Sequence, residues 1–430
     1  MRSPSRASRA VLVTAAVGAM AMALGTAAPV TPSATAATAS ARQISYTQWA
    51  SQKQLAGGRF EGTRSVRGVL EMANPIGTRT YDDPYGYPTK RYAFGRWTSP
   101  WRSPGFAFEQ LIPSWEADTP RDSWVRIQVR GRSGPGGLSR WYTMASWAAG
   151  DLRFHRTSPG SQADELAQVD VDTLKTRSSV SFTAWQVRVT LLRKAGTSAT
   201  PRVDAVGAVV SHLPVVDRVA TSRPGVATGI TLKVPRYSQM IHEGDYPQYD
   251  GGGEAWCSPT SVSMVLGRLG RLPSAQEYSW VPTGHPDPWV DHAARSHYDY
   301  GFEGAGNWSF SAAYASTHAD AAFVTRLRSL REAERFIKAG IPLVASLSFG
   351  RGELDGAPIS SSSGHLLVIV GFTGSGDVVV NDPAAARARG VRRTYDRGQF
   401  ENAWVPHSGG LVYVVRNLDT PLPPTRTDNW

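Results

Sequence analysis

Alternation of apolar and polar positions dominates the first half of the chain. In SWVRIQVR, Trp124, Arg126, Gln128 and Arg130 fall on one side, and Val125, Ile127 and Val129 on the other. A period of two is that of a strand with one buried face. SFTAWQVRVTLLR, Ser181 to Arg193, alternates similarly and gathers Val187, Val189 and Leu191. SRWYTMASWA, Ser139 to Ala148, is a third, aromatic-rich strand. Turn clusters such as SGPGG and SPGSQ punctuate these runs. Short alternating runs between Gly/Pro turns predict an antiparallel β-sandwich over residues 43–215.

The period changes after a Pro/Gly/Thr-rich connector, LPVVDRVATSRPGVATGITLK, whose residues 216–231 read as a linker. SPTSVSMVLGRLG puts Val262, Val265, Leu266 and Leu269 on one side of a helix. SLREAERFIKAG predicts a second helix, Ser329 to Lys338, stopped by Gly340. IPLVASLSF is a continuous apolar strand, while HLLVIVGF and DVVVND form a hairpin through TGSG. Helices first and antiparallel strands later predict a second, α+β domain over 232–416, with 417–430 as a tail. No internal repeat is visible.

Composition adds an export reading. Arg2, Arg6 and Arg9 precede the apolar VLVTAAVGAMAMALGTAA, and small-x-small sites follow at Ala34-Thr35-Ala36 and Ala39-Ser40-Ala41. Residues 1–41 therefore read as a secretory signal and spacer, cut between Ala36 and Arg42. The apolar run is too short to span a bilayer, and no longer one follows, so a secreted protein without a membrane span is expected. The net charge of +11 is scattered, with no basic block. That argues against a nucleic-acid groove and for loose attraction to anionic surfaces such as a cell wall. Trp97, Trp101, Trp115, Trp124, Trp141, Trp147 and Trp185 build either a sandwich core or a sugar-stacking platform; the core is the preferred reading. A wall or glycan contact stays open as the partner of this domain.

Cys257 is the only cysteine, so no intramolecular disulfide can form. An odd cysteine in an exported chain is a link, a reactive thiol or a small buried hydrophobe. Its setting, GGGEAWCSPTS, favours the reactive thiol. Ser258 suits a helix cap and Pro259 the first turn, which puts Cys257 just before a helix N-terminus. Free N–H groups and the dipole stabilise a thiolate there, and the glycines leave room for a substrate. A thiol nucleophile needs a base, and the base an orienting group. Of nine histidines, His365 is best placed, at the start of HLLVIVGF. Pairing Phe372 with Asp377 in the hairpin puts Asp382 opposite Leu367, on the face of His365. A shift of one residue would put Asn381 there instead.

VPRYSQ, EAWCSPTS, SGHLLVIVGF and VVVNDPA, in that order, resemble the C39-like cysteine peptidases in their secreted stand-alone form. The resemblance covers residues 232–416. It implies a papain-like fold with Cys257 as nucleophile, His365 as general base and Asp382 as orienting carboxylate. The family places a glutamine before the cysteine for the oxyanion hole. Gln239 in VPRYSQ matches it, although HEGDYPQYDGGGEA lengthens the interval, and Gln248 is the second choice.

HPDPWVDHAARSHYDY holds three His and three Asp without HExxH, and reads as a polar surface loop bordering the cleft. No metal and no organic cofactor is expected. GAGNWSF either lines the groove or packs its Trp inward. Asp170 and Asp172 read as a solvated strand face rather than a calcium site. No GxSxG elbow, P-loop or dinucleotide fingerprint occurs. The leading expectation is a secreted peptidase acting on a peptide or protein substrate. The alternatives are an acyl transferase or amidase on wall peptides with the same triad, and a non-catalytic wall- or glycan-binding protein.

Overall fold

The computed structural model describes residues 41–134 and 136–430. The predicted leader, except Ala41, lies outside them. Gln43 to His212 form two antiparallel sheets, one of seven strands and one of six. The three alternating runs read from the sequence lie in the six-stranded sheet as Ser123–Arg132, Tyr142–Trp147 and Ala184–Lys194. Their inward residues, Val125, Ile127, Val129, Val187, Val189 and Leu191, are fully buried. The aromatic core is as expected for most of its members: Trp97, Trp115, Trp124, Trp147 and Trp185 are buried. Trp101 and Trp141 are only half-buried and lie under arginines, with Arg188 3.9 Å above Trp141 and Arg132 4.3 Å above Trp101.

The later residues build a third antiparallel sheet of six strands. Its order runs Ala321–Arg326, Leu411–Arg416, Leu343–Phe349, Ser362–Phe372, Val378–Asn381, Arg392–Tyr395. Helix Cys257–Leu269 packs on one face with Trp308–Ala315. Leu330–Lys338 and Arg397–Ser408 cover the other, burying Phe336, Ile337, Phe400 and Trp404. The two expected helices are present as Cys257–Leu269 and Leu330–Lys338, but helices and strands interleave: Ala321–Arg326 precedes the second helix, and Pro288–His297, Trp308–Ala315 and Arg397–Ser408 are helices that periodicity did not reveal. No helix of the described residues is long and apolar enough to cross a membrane.

The two halves share a seam. Ala321–Arg326 is an edge strand whose outer N–H groups are taken by sandwich side chains. Ala322 donates to Glu116 (3.0 Å) and Val324 to Ser114 (2.9 Å). Helix Trp308–Ala315 sends Phe310 and Ala313 into the sandwich core, while Ile112 and Val209 of the sandwich join the core of the third sheet. Asp172 accepts from Trp308 N at the start of that helix (2.7 Å), and exposed Asp170 pairs with Lys175. The expectation of a solvated face for both aspartates is thus corrected for Asp172. All described residues fall within one compact unit.

Nor is the connector a free tether. Leu232 N donates to Val370 O (2.7 Å), Phe372 N to Ile230 O (2.8 Å), and Ala227 is fully buried. The tail is tied back too: Asn429 Nδ2 donates to Arg326 O and Asp428 O accepts from Tyr46 N.

Candidate active site

Cys257 is the first residue of its helix, whose cap lies two residues earlier than expected. Trp256 occupies the cap without a side-chain hydrogen bond, so the first-turn N–H groups remain available to an anion. Ser258 is not the cap. Its hydroxyl lies between those of Ser311 (2.9 Å) and Tyr413 (3.2 Å). The thiol is partly exposed and opens on a cleft of about 780 Å³. The glycines before it serve the chain rather than a substrate. Gly252 has φ +126°, a conformation favouring glycine, and a Cβ on Gly253 would lie 2.3–2.4 Å from the Gln239–His242 turn. That close approach folds the long inserted segment so that Gln239 and Cys257 line one cleft.

His365 also lines the cleft and is buried. Its Nε2 lies 2.8 Å from Asp382 Oδ1. With Nε2 engaged by Asp382, Nδ1 is the ring nitrogen not used by that pair, and Cys257 lines the same cleft. Asp382 is fully buried and held by Tyr395 Oη (2.7 Å) and Ala384 N (3.0 Å). Burial pushes the His365 imidazole down, but the Asp382 carboxylate and the Cys257 sulfur outweigh it and raise the ring to about 10. Burial likewise pushes Asp382 up, and the charge and hydrogen bond of His365 outweigh that and hold its carboxyl below the ordinary range.

A bulge decides which neighbour reaches the histidine. At the turn Phe372 pairs with Val378, one residue beyond the expected partner. Val370 is then skipped, and Val368 pairs with Asn381. The bulge restores the expected register at the far end, so Asp382 comes beside His365. Asn381 faces away, donating to Pro235 O (2.8 Å) and accepting from Arg392 (2.6 Å).

Gln239 is buried, with its backbone N on Pro383 O (2.9 Å) and its Nε2 on Glu254 O (2.7 Å). One amide N–H is thereby fixed and the other left free. Gln248 is exposed and does not line the cleft. GAGNWSF does line it, through Gly304, Gly306 and Trp308. Sequence reasoning missed Tyr395, which only the pairing of Arg392–Tyr395 with Val378–Asn381 brings near Asp382. It also missed Ser346 and His407 on the cleft wall. The stretch from His285 to Tyr300 is mainly a helix, Pro288–His297, with Asp291 and His297 fully buried, not a surface loop. It misled because its apolar positions, Val290, Ala293 and Ala294, are small and few.

The family model of the Peptidase C39 N-terminal domain matches residues 45–211, and that of the Peptidase_C39 like family matches residues 231–411. No curated protein matches the chain. By these matches, the C-terminal half of the chain belongs to the C39-like peptidase family.

Proposed function

We propose that the protein is a secreted cysteine peptidase with a papain-like catalytic half, hydrolysing peptide bonds through Cys257, His365 and Asp382. The observation that carries this reading is that Cys257 and His365 line one cleft, with His365 Nε2 2.8 Å from the buried Asp382 carboxylate. The raised imidazole holds the proton that the leaving amine will need. In the mechanism, Cys257 Sγ attacks the peptide carbonyl and a C–S bond forms. The Cys257 N–H and the free N–H of Gln239 hold the oxyanion. The C–N bond breaks as His365 gives its proton to the leaving amine. Neutral His365 then takes a proton from water, whose oxygen attacks the thioester carbonyl, and the thiolate leaves. Asp382, held by Tyr395, keeps Nε2–H in place throughout.

Export rests on the basic, apolar and small-residue order of the first 41 residues. A wall or glycan contact rests on the ledge of Trp101 and Trp141 with Arg130, Arg132 and Arg188. It is a basic, aromatic surface suited to an anionic polymer. The deciding experiment assays the parent and Cys257→Ala against peptide libraries and wall fragments. Peptide turnover by the parent alone is expected; equal turnover by both would overturn the mechanism.

A further inference from the structure

Four groups gather where the segment between Gln239 and Cys257 meets the helix Pro288–His297 and the loop before it: His242, Asp245, His285 and Asp291. One ligand atom from each lies within 4.8 Å of all the others. His242 and Asp291 are fully buried. Both ring nitrogens of His242, Nε2 of His285 and both oxygens of Asp291 are buried without a hydrogen-bond partner. A fully buried carboxylate with no donor is costly.

The spacings explain what the groups await. His242 Nδ1 lies 3.3 Å from Asp291 Oδ1 and 3.7 Å from Asp245 Oδ2. His285 Nε2 lies 3.0 Å from Asp245 Oδ2 and 3.4 Å from Asp291 Oδ1. Charge-assisted hydrogen bonds are shorter, about 2.7–2.9 Å, as His365 and Asp382 show at 2.8 Å. Metal–ligand distances of about 2.0–2.2 Å put the edges of a tetrahedron at about 3.3–3.6 Å. Two neutral imidazoles and two carboxylates carry two negative charges, which one divalent ion cancels.

We propose that His242, Asp245, His285 and Asp291 bind one divalent transition-metal ion, zinc by the nitrogen and oxygen ligand set and four-coordinate spacing. The ion joins the turn Gln239–His242, the loop at His285 and the helix at Asp291. In a chain with a single cysteine it serves where a disulfide would, pinning the inserted segment. Its link to catalysis, through the turn that Gln239 shares with His242, rests on the peptidase reading. A second gathering, Glu277, His292 and His318, carries no such argument, since Glu277 is exposed and already bound by Ser274.

The test uses the Cys257→Ala protein, stripped with a chelator and then given zinc chloride or cobalt chloride. One equivalent of zinc retained after dialysis is expected, with a Tm rise of about 5 °C or more and the visible bands of tetrahedral cobalt. Asp245→Asn and His285→Gln, both at partly exposed positions, should each lose the bound ion and the Tm response. No retained zinc together with an unmoved Tm would overturn the site. So would binding by both variants equal to that of Cys257→Ala. None of these readouts depends on turnover, so failure here and failure of the peptidase reading are told apart.

Discussion

Asp382→Asn isolates what the buried carboxylate does for His365. The amide keeps the shape and an acceptor for His365 Nε2 and Ala384 N, but removes the charge. The ring is raised from its ordinary 6.5 to about 10. At about 1.4 kcal/mol per unit the net rise corresponds to about 5 kcal/mol, which is what Asp382 and Cys257 together supply after the opposing cost of burial. A raised base stabilises the fold fully below about 6.5, and that stability is lost as pH rises through about 10. The lowered Asp382 contributes above about 4, and its share is lost as pH falls through its depressed value. The stability gap between parent and variant should therefore be widest from about pH 4 to 6.5 and shrink toward pH 10. Activity should drop by roughly two to four powers of ten, and its alkaline limb should move to lower pH. Urea unfolding at pH 5.5 and 10, with kcat/KM from pH 5 to 11, measures both effects. A gap independent of pH, with an unmoved alkaline limb, would refute the argument that Asp382 sets the charge of His365.

Gln239→Ala should lower kcat by about 10²–10³ with little change in KM, as removal of an oxyanion donor does, while Gln248→Ala stays within about twofold; steady-state kinetics separates them. Asn381→Ala leaves the Pro235 carbonyl and Arg392 short of partners. It should cost about 1–3 kcal/mol of stability by chemical unfolding without moving the pH profile of kcat. Burial pushes the Glu116 carboxyl up to about 7 against the Ala322 N–H, so its ionisation weakens the fold as pH rises from about 4.5 through 7. Glu116→Gln should gain up to about 3 kcal/mol at pH 8 and nothing at pH 4, read from denaturant midpoints.

Local pattern carried the sequence reading well where one face of an element is buried by its own half. Val125, Ile127 and Val129 alternate because their strand has one packed side, and Gly340, at φ +88°, stops its helix, whereas Ser329 takes the cap position without a side-chain hydrogen bond. The hairpin argument reached the right partner for His365 through a turn placed one residue off. An unseen bulge at Val370 compensated, because nothing in HLLVIVGF distinguishes Val370 from its neighbours. What stayed hidden depends on distant chain. Tyr395 joins the site through a fifth strand, and Gly253 is small because the Gln239–His242 turn packs against it. Asp172 looked solvated because the helix end it binds lies 136 residues away.

The seam sets terms for recombination. Family matches at 45–211 and 231–411 invite the two halves to be treated as interchangeable cassettes. A graft that replaced the sandwich would leave Ala322 and Val324 N–H without Glu116 and Ser114, and Phe310 without its pocket. A catalytic half expressed by itself would present an open strand edge beside exposed Phe310 and Ala313, a template for self-association. Chimeras of this architecture must therefore exchange the seam as a set: Ile112, Ser114, Glu116 and Val209 on one side, with Trp308–Ala315 and Ala321–Arg326 on the other.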